Sequence, residues 1–362
     1  YKKSNYNIVR IILNKENPEL RYKEAKRYLE RWLEEKILIK YNEPVFFLYR
    51  QSFSVNGKNF TRSALVGVVR IHEFKEKIIL PHEKTLTAPK EDRYKLIKSI
   101  NAQPEPIFGI VIDDGSYMFR IEKIGGEKLF EFEDENGVTH KLYLVERTVY
   151  EAVRESLKTK KILIADGHHR YETALRIKRE YEQLSDYDPE GSYNYVLMCL
   201  VSSHDKGLIV QPIYRVFEVD KERLKGLKNV KKIETNITHN IKEHYSKLSK
   251  NEFIMVKWDG VYKIWVDDYP KNAVSTEILQ SEIIEKVFGI TQEDITKNGR
   301  IRYHKKIEEA IEDLKENSII LIYNPPSPDE ISKISEEDRT LPQKSTYFYP
   351  KFYSGLFMYP LD

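Results

Sequence analysis

The sequence has one cysteine, Cys199, and only four methionines and three tryptophans in 362 residues. A single cysteine excludes an intramolecular disulfide and argues against a cysteine-ligated zinc centre. Set in the apolar run "YVLMCLV", it reads as a small buried hydrophobe. No apolar run approaches the roughly 20 residues needed to span a bilayer. No signal peptide is visible, so the expected location is the cytoplasm, with no membrane partner. A charge excess is missing too, with 60 Lys and Arg set against 57 Asp and Glu, a net charge of +3. Proteins that work on nucleic-acid backbones usually carry a basic excess or stripe, so no nucleic-acid partner is expected. There is no GxxxxGK[ST] loop, no GxGxxG after a strand, no GxSxG elbow and no HExxH. Phosphate chemistry, if present, is therefore not that of a P-loop enzyme.

What is present suits a soluble globular chain long enough for two domains, with 40% hydrophobic and 32% charged residues. "ELRYKEAKRYLERWLEEKI" places Ala25, Tyr28, Leu29, Trp32 and Leu33 on one helical face. "PVFFLYRQSFSV", Asn56-Gly57 and "FTRSALVGVVRI" read as a β-hairpin. Strands are expected at 106–113, 117–124, 127–134 and 140–146, a helix at 147–161, and a short buried strand at "ILIA". Further strands are expected at 193–202 and 207–218. Beyond about 218 the texture changes to charged segments, a hairpin across Asp259-Gly260, helices near 276–288 and 304–316, and the strand "SIILIY". This predicts an α+β protein with two domains, 1–218 and 219–362. The aromatic tail "LPQKSTYFYPKFYSGLFMYPLD" is unlike a solvated terminus and is expected to dock on the fold.

Three segments carry chemistry. In "LIADGHHRYETAL" a buried strand stops at Asp166-Gly167 and a helix begins with His168, His169 and Arg170. Backbone N–H groups and the helix dipole make such a turn an anion site. Gly167 permits a positive φ or a close ligand approach. Arg170 adds a bidentate donor, and the two histidines can donate hydrogen bonds or move protons. Asp166 can orient a histidine, hold magnesium or accept a proton; equally, it can simply cap the helix. The second segment, "LPHEKT", offers His82 and Glu83 as acid–base groups and Lys84 and Thr85 as phosphate or substrate contacts. As an isolated pentapeptide it also fits a solvated charged loop. In the third, Lys344, Ser345, Thr346, Tyr347 and Lys351 would form a polar wall if the tail closes over a cleft; aromatic anchoring of the terminus accounts for the segment equally well.

Together, "IADGHHRYETAL", "LPHEKT" with "APKEDRYKLI", and "LPQKSTYFYPKFYSGL" resemble the signatures of the domain of unknown function 1015 family. That family looks like part of the ParB/sulfiredoxin superfamily, whose strand–turn–helix with a Gly-x-x-Arg core binds phosphate; Gly167 to Arg170 matches that core. The resemblance implies a ParB/sulfiredoxin-like mixed sheet in the first domain and a second α/β domain whose tail folds back on the cleft. It implies phosphorylation of free L-serine to O-phospho-L-serine with Mg2+, the donor being pyrophosphate or, second, ADP or ATP. Carried over, Asp166 to Arg170 would hold donor phosphates and Asp166 the metal. Glu83 or Asp166 would be the base, with His82 and His169 beside them, and Thr85, Lys344, Ser345, Thr346 and Tyr347 would hold the substrate. The family's usual Pro-Pro-Tyr-Asp-Val-like stretch is not among these 362 residues. The Gly-x-x-Arg core has histidines where sulfinic-acid repair needs a cysteine, which excludes that chemistry. Two rivals differ in class: a non-catalytic phosphate or phosphoserine sensor, and a ParB-like, nucleotide-gated DNA-binding protein.

Overall fold

The computed structural model describes residues 1–83, 87–234, 241, 245, 247–291, 294 and 301–361. The chain divides into two units, Tyr1–Ile209 with Pro350–Asp362, and Val210–Tyr349.

In the first unit, short α1 (Val9–Ile12) and α2 (Arg21–Glu34) precede a hairpin of β1 (Phe47–Val55) and β2 (Lys58–Arg70). Its Asn56-Gly57 turn has positive φ at both residues (52° and 75°), as the sequence requires. β3 (Ile79–Leu80), α3 (Thr87–Ile100), β4 (Ala102–Gln103) and β5 (Ile107–Ile112) follow. Then come α4 (Ser116–Lys123), β6 (Gly126–Glu133), β7 (Thr139–Val145) and α5 (Tyr150–Leu157). The series ends with β8 (Lys161–Asp166), α6 (His168–Tyr181) and β9 (Tyr195–Ser202). Eight of these strands form one sheet in the order β3-β8-β5-β9-β2-β1-β7-β6. The β3–β8 and β5–β9 pairs are parallel and the rest antiparallel, so the sheet is mixed.

One sheet face carries Leu48, Leu65, Ile164 and Met198, packed with Tyr171, Ala174 and Leu175 of α6. The opposite face is aromatic. There Phe108 meets Phe352, and Tyr49 meets Phe352 and Phe357 from the chain's last segment.

Of residues 117–124, expected as a strand, 117–123 are helical in α4 and Ile124 ends it. Tyr117, Ile121 and Ile124 are buried at helical spacing, and the Asp113 carboxylate accepts from the backbone N–H groups of Gly115, Tyr117 and Met118. That side chain satisfies donors which a new helix leaves open, a local signal that apolar alternation hides.

The second unit holds a six-stranded antiparallel sheet, with strands in the order Val230–Glu234, Gly260–Trp265, Glu252–Lys257, Ser318–Tyr323, Tyr214–Glu218 and Ile301–His304. Apolar clusters cover both its faces. Tyr214–Glu218 pairs with two strands of this sheet, so the division falls at 209/210 rather than at 218. Residues 350–362 belong to the first unit, which corrects their assignment to the C-terminal domain.

Candidate active site

The site is built where β8 becomes α6. Register along β5 and β8 pairs Gly109 with Ile164 but Phe108 with Asp166, leaving Ala165 as an extra residue. This β-bulge decides where Asp166 points. In an unbroken strand Asp166 would share the face of Ile164, in the core beneath α6. The bulge turns it to the face of Phe108 instead, which is the face that carries the terminal segment.

Gly167 follows at the N-cap of α6 with φ +101°, a left-handed conformation, and so offers no capping side chain of its own. The left-handed backbone favours glycine, and a Cβ built on Gly167 would sit 2.9 Å from the Arg170 Nε, so a side chain there would push the guanidinium aside. Arg170 folds back over the turn. Its Nη2 donates to Asp166 Oδ2 at 2.7 Å and its Nη1 to the Pro106 carbonyl. The other carboxylate oxygen, Oδ1, accepts from Lys351 Nζ at 2.7 Å. Burial pushes the Asp166 carboxyl up, but Lys351 and then Arg170 outweigh it and hold the group well below the usual carboxylate range. Asp166 is ionised, and the three groups together carry a net single positive charge at the start of a 14-residue helix.

The second motif arrives at the same place. β3 runs parallel to β8, pairing Ile79 with Ile162 and Leu80 with Leu163, so the loop carrying His82 and Glu83 leaves at the end where Asp166 sits. His82 is fully buried, and its Nδ1 lies 2.6 Å from the Ile164 carbonyl, which makes Nδ1 the protonated nitrogen. The His82 backbone N–H donates to Nε2 of His168 at 3.3 Å, and the two rings meet edge to face at 4.7 Å. Burial pushes the His82 imidazole down to about 4, only partly opposed by the Ile164 carbonyl. Burial, and then His82 itself, hold His168 well below its ordinary value. Both rings are therefore neutral near pH 7 and act through fixed hydrogen bonds, not charge.

Of the expected residues, the structure thus gathers His82, Asp166, Gly167, His168 and Arg170. Glu83 is part-buried next to His82, and His169 is part-buried in the first turn of α6. Thr85 and Lys84 lie outside the described residues. Lys344, Ser345, Thr346 and Tyr347 belong to the second unit, where Ser345 Oγ donates to the Pro342 carbonyl and the Ser345 carbonyl accepts from the Tyr323 hydroxyl. Those contacts tie Ser345 into its own unit. The tail lysine found at the turn is Lys351. Beside Arg170 lies a small concavity whose walls include Arg93, Gln103 and Glu105.

The donor set does not fit a resident magnesium ion at Asp166. Among the described residues no group of three or more His, Cys, Asp or Glu converges. An ion on either carboxylate oxygen would face an ammonium or a guanidinium at hydrogen-bond distance, like charge against like.

Among solved structures, the chain is similar to a point variant of a free serine kinase in complex with ADP, at 15% identity and TM-score 0.46, over 89% of this chain and 97% of that one. It is also similar to a free serine kinase in complex with AMP, at 14% identity and TM-score 0.45, over 82% of this chain and 92% of that one. A third is a conserved hypothetical protein from Pyrococcus furiosus, at 15% identity and TM-score 0.43, over 82% and 95% of the two chains. These likenesses are remote. No curated protein matches the chain. The model of the family described as "Protein of unknown function (DUF1015)" matches residues 1–286, and the chain belongs to that family.

Proposed function

We propose that this protein transfers a phosphoryl group to the hydroxyl of free L-serine, forming O-phospho-L-serine. Pyrophosphate is the first-ranked donor, with ADP or ATP second. The observation that carries the reading is the meeting, at one end of parallel β3 and β8, of the His82–Glu83 loop with a helix N-terminus flanked by Arg170 and Lys351. The sequence resemblance to the family supplies the acceptor. The β8–Gly167–α6 turn is assigned to the Gly-x-x-Arg phosphate core of the ParB/sulfiredoxin superfamily.

The physics favours an anion. Asp166 offsets one of the two cations, the His82 and His168 rings are neutral, and the helix adds roughly half a positive charge at its start. An entering phosphate takes over N–H donors from Asp166 without leaving a buried cation unpaired. In-line transfer then needs mainly positioning and charge stabilisation, which Arg170, Lys351 and the backbone N–H groups of α6 provide. The serine Oγ attacks the nearer phosphorus of pyrophosphate, the bridging P–O bond breaks, and orthophosphate leaves with the bonding pair. Glu83 takes the hydroxyl proton. Asp166 is assigned to orienting the two cations, and His82 to holding His168.

Phosphorus NMR on the protein with L-serine, Mg2+ and pyrophosphate, ADP or ATP in separate tubes tests the reading. A phosphoserine resonance in one tube is the expected result and identifies the donor. Tight binding of all three without turnover would replace the enzyme by a phosphate sensor.

A further inference from the structure

Pro350 to Tyr353 cross the aromatic face of the first unit's sheet almost without regular structure, so their backbone polar groups need partners from elsewhere. Buried side chains of the sheet provide them. The Pro350 carbonyl accepts from Arg62 Nη2, and the Lys351 carbonyl from Gln51 Nε2 at 3.0 Å. The Tyr353 N–H donates to the Tyr49 hydroxyl at 3.4 Å. Arg62, Gln51 and His140 lie directly opposite one another on β2, β1 and β7, exposed by 0%, 0% and 1%. They form one buried polar row across three neighbouring strands. Arg62 also donates to Gln51 Oε1, so Gln51 is fixed at both ends of its amide. The guanidinium lies 4.8 Å from the ring centres of both Phe108 and Phe352. At the end of the row, the Tyr49 hydroxyl lies 2.6 Å from His140 Nδ1, and His140 Nε2 lies 3.3 Å from Asp134 Oδ2.

A fully buried guanidinium is a poor choice for stability alone, because its desolvation offsets much of what its contacts return. What it supplies is a rigid fork of donors. Here one arm of that fork, Nη2, holds the Pro350 carbonyl and the Gln51 amide, which in turn holds the Lys351 carbonyl, and the held lysine is the one whose ammonium reaches Asp166. We propose that Arg62 and Gln51 are positioning residues, whose task is to deliver the Lys351 ammonium to the phosphate turn. For its effect on turnover this inference rests on the phosphoryl-transfer reading above. Its geometric content does not.

Gln51→Glu is the informative variant. It keeps size and shape and still accepts from Arg62, but it loses the donor to the Lys351 carbonyl. The thermal midpoint should stay near that of the parent, while kcat falls on the order of tenfold to a hundredfold, the range expected when a site group is displaced by about an ångström. The KM for L-serine should change less. Lys351→Met should cost more, and Q51E combined with K351M should cost no more than K351M alone, because the grip has nothing left to place. Independent multiplication of the two losses would overturn the inference, as would parental kcat in folded Q51E. A readout free of turnover is labelling of Lys351 by acetic anhydride, followed by mass spectrometry. It should rise several-fold in Q51E, and equal labelling in the two proteins would overturn the grip itself. If the parent makes no phosphoserine yet Q51E exposes Lys351, the functional reading fails and the positioning inference stands. Should Q51E not fold, Gln51→Met with the same labelling assay gives the same two outcomes.

Discussion

Lys351 and Asp166 are 185 positions apart in the chain, and their charged groups are 2.7 Å apart. The contact joins the terminal segment to the strand–turn–helix within one unit, and it gives Asp166 a second cation beside Arg170. A carboxylate held between two cations leaves a site that is positive overall but ordered before any ligand arrives.

Removing that lysine should cost the site its phosphate affinity, not its fold. Lys351→Met is expected to weaken pyrophosphate binding, measured by calorimetry, and to lower kcat by about 10² to 10³, the usual loss for one donor to a developing charge. Lys351→Arg should recover part of both, since the charge is kept but the fork fits a different geometry. Unchanged pyrophosphate binding in the methionine variant would remove Lys351 from the site.

Gly167 makes a sharper test, because backbone and space act together there. Its φ of +101° disfavours any L side chain, and a Cβ would press on the Arg170 guanidinium at 2.9 to 3.0 Å. Gly167→Ala should lower urea-unfolding stability by about 1–2 kcal/mol, the cost of a side chain in left-handed backbone. Activity should fall by more than stability explains, since Arg170 must swing away from Asp166. A variant that loses stability but keeps full kcat would show that Arg170 is not held for chemistry.

The elements that the sequence displays openly share a property: their signal is local. Asn56-Gly57 marks its hairpin, and "IADGHHR" marks the end of β8 and the start of α6, because turn chemistry and helix entry are decided within a few residues. Residues 117–124 misled because a short amphipathic helix and a strand share apolar positions over so short a span, and the Asp113 cap is visible only in three dimensions. The contact of Lys351 with Asp166 was beyond reach for another reason. It needs the bulge at Ala165 to turn the carboxylate and the polar row of Arg62 and Gln51 to place the lysine, and neither leaves a periodic trace. A charged residue in the middle of "FTRSALV" is the one available hint. Only the register shows that Arg62 is buried opposite Gln51.

Glu83 separates base from scaffold. Glu83→Gln should lower kcat by about 10² to 10⁴, the range for loss of a general base, with little change in pyrophosphate affinity. Asp166→Asn should instead weaken pyrophosphate binding along with kcat, because it releases both cations from their common anchor. If the two variants exchange these patterns, the proton is taken by Asp166 and not by Glu83. Steady-state kinetics with calorimetric titration of each variant decides between them.

The paired histidines fix how stability responds to acid. An unfolded histidine takes up its proton near pH 6.5, whereas His82 in the fold does so only at about 4 and His168 well below its ordinary value. Between those limits the unfolded chain binds more protons than the folded one, so stability must fall as pH drops through this window. His140, also lowered mainly by burial, adds to the same slope. Asp166 acts in a lower range, because its depressed value keeps its contribution intact until the pH falls below that of an ordinary carboxylate. Urea unfolding followed from pH 7 to 4.5 should therefore show stability declining by about 1.4 kcal/mol per pH unit for each histidine that stays neutral in the fold. His82→Gln, which cannot titrate, should flatten that slope by about one such increment, at the price of a lower plateau at pH 7. An unchanged slope in the variant would mean that His82 is charged in the native protein, and the neutral pair at the β8–α6 turn would have to be abandoned.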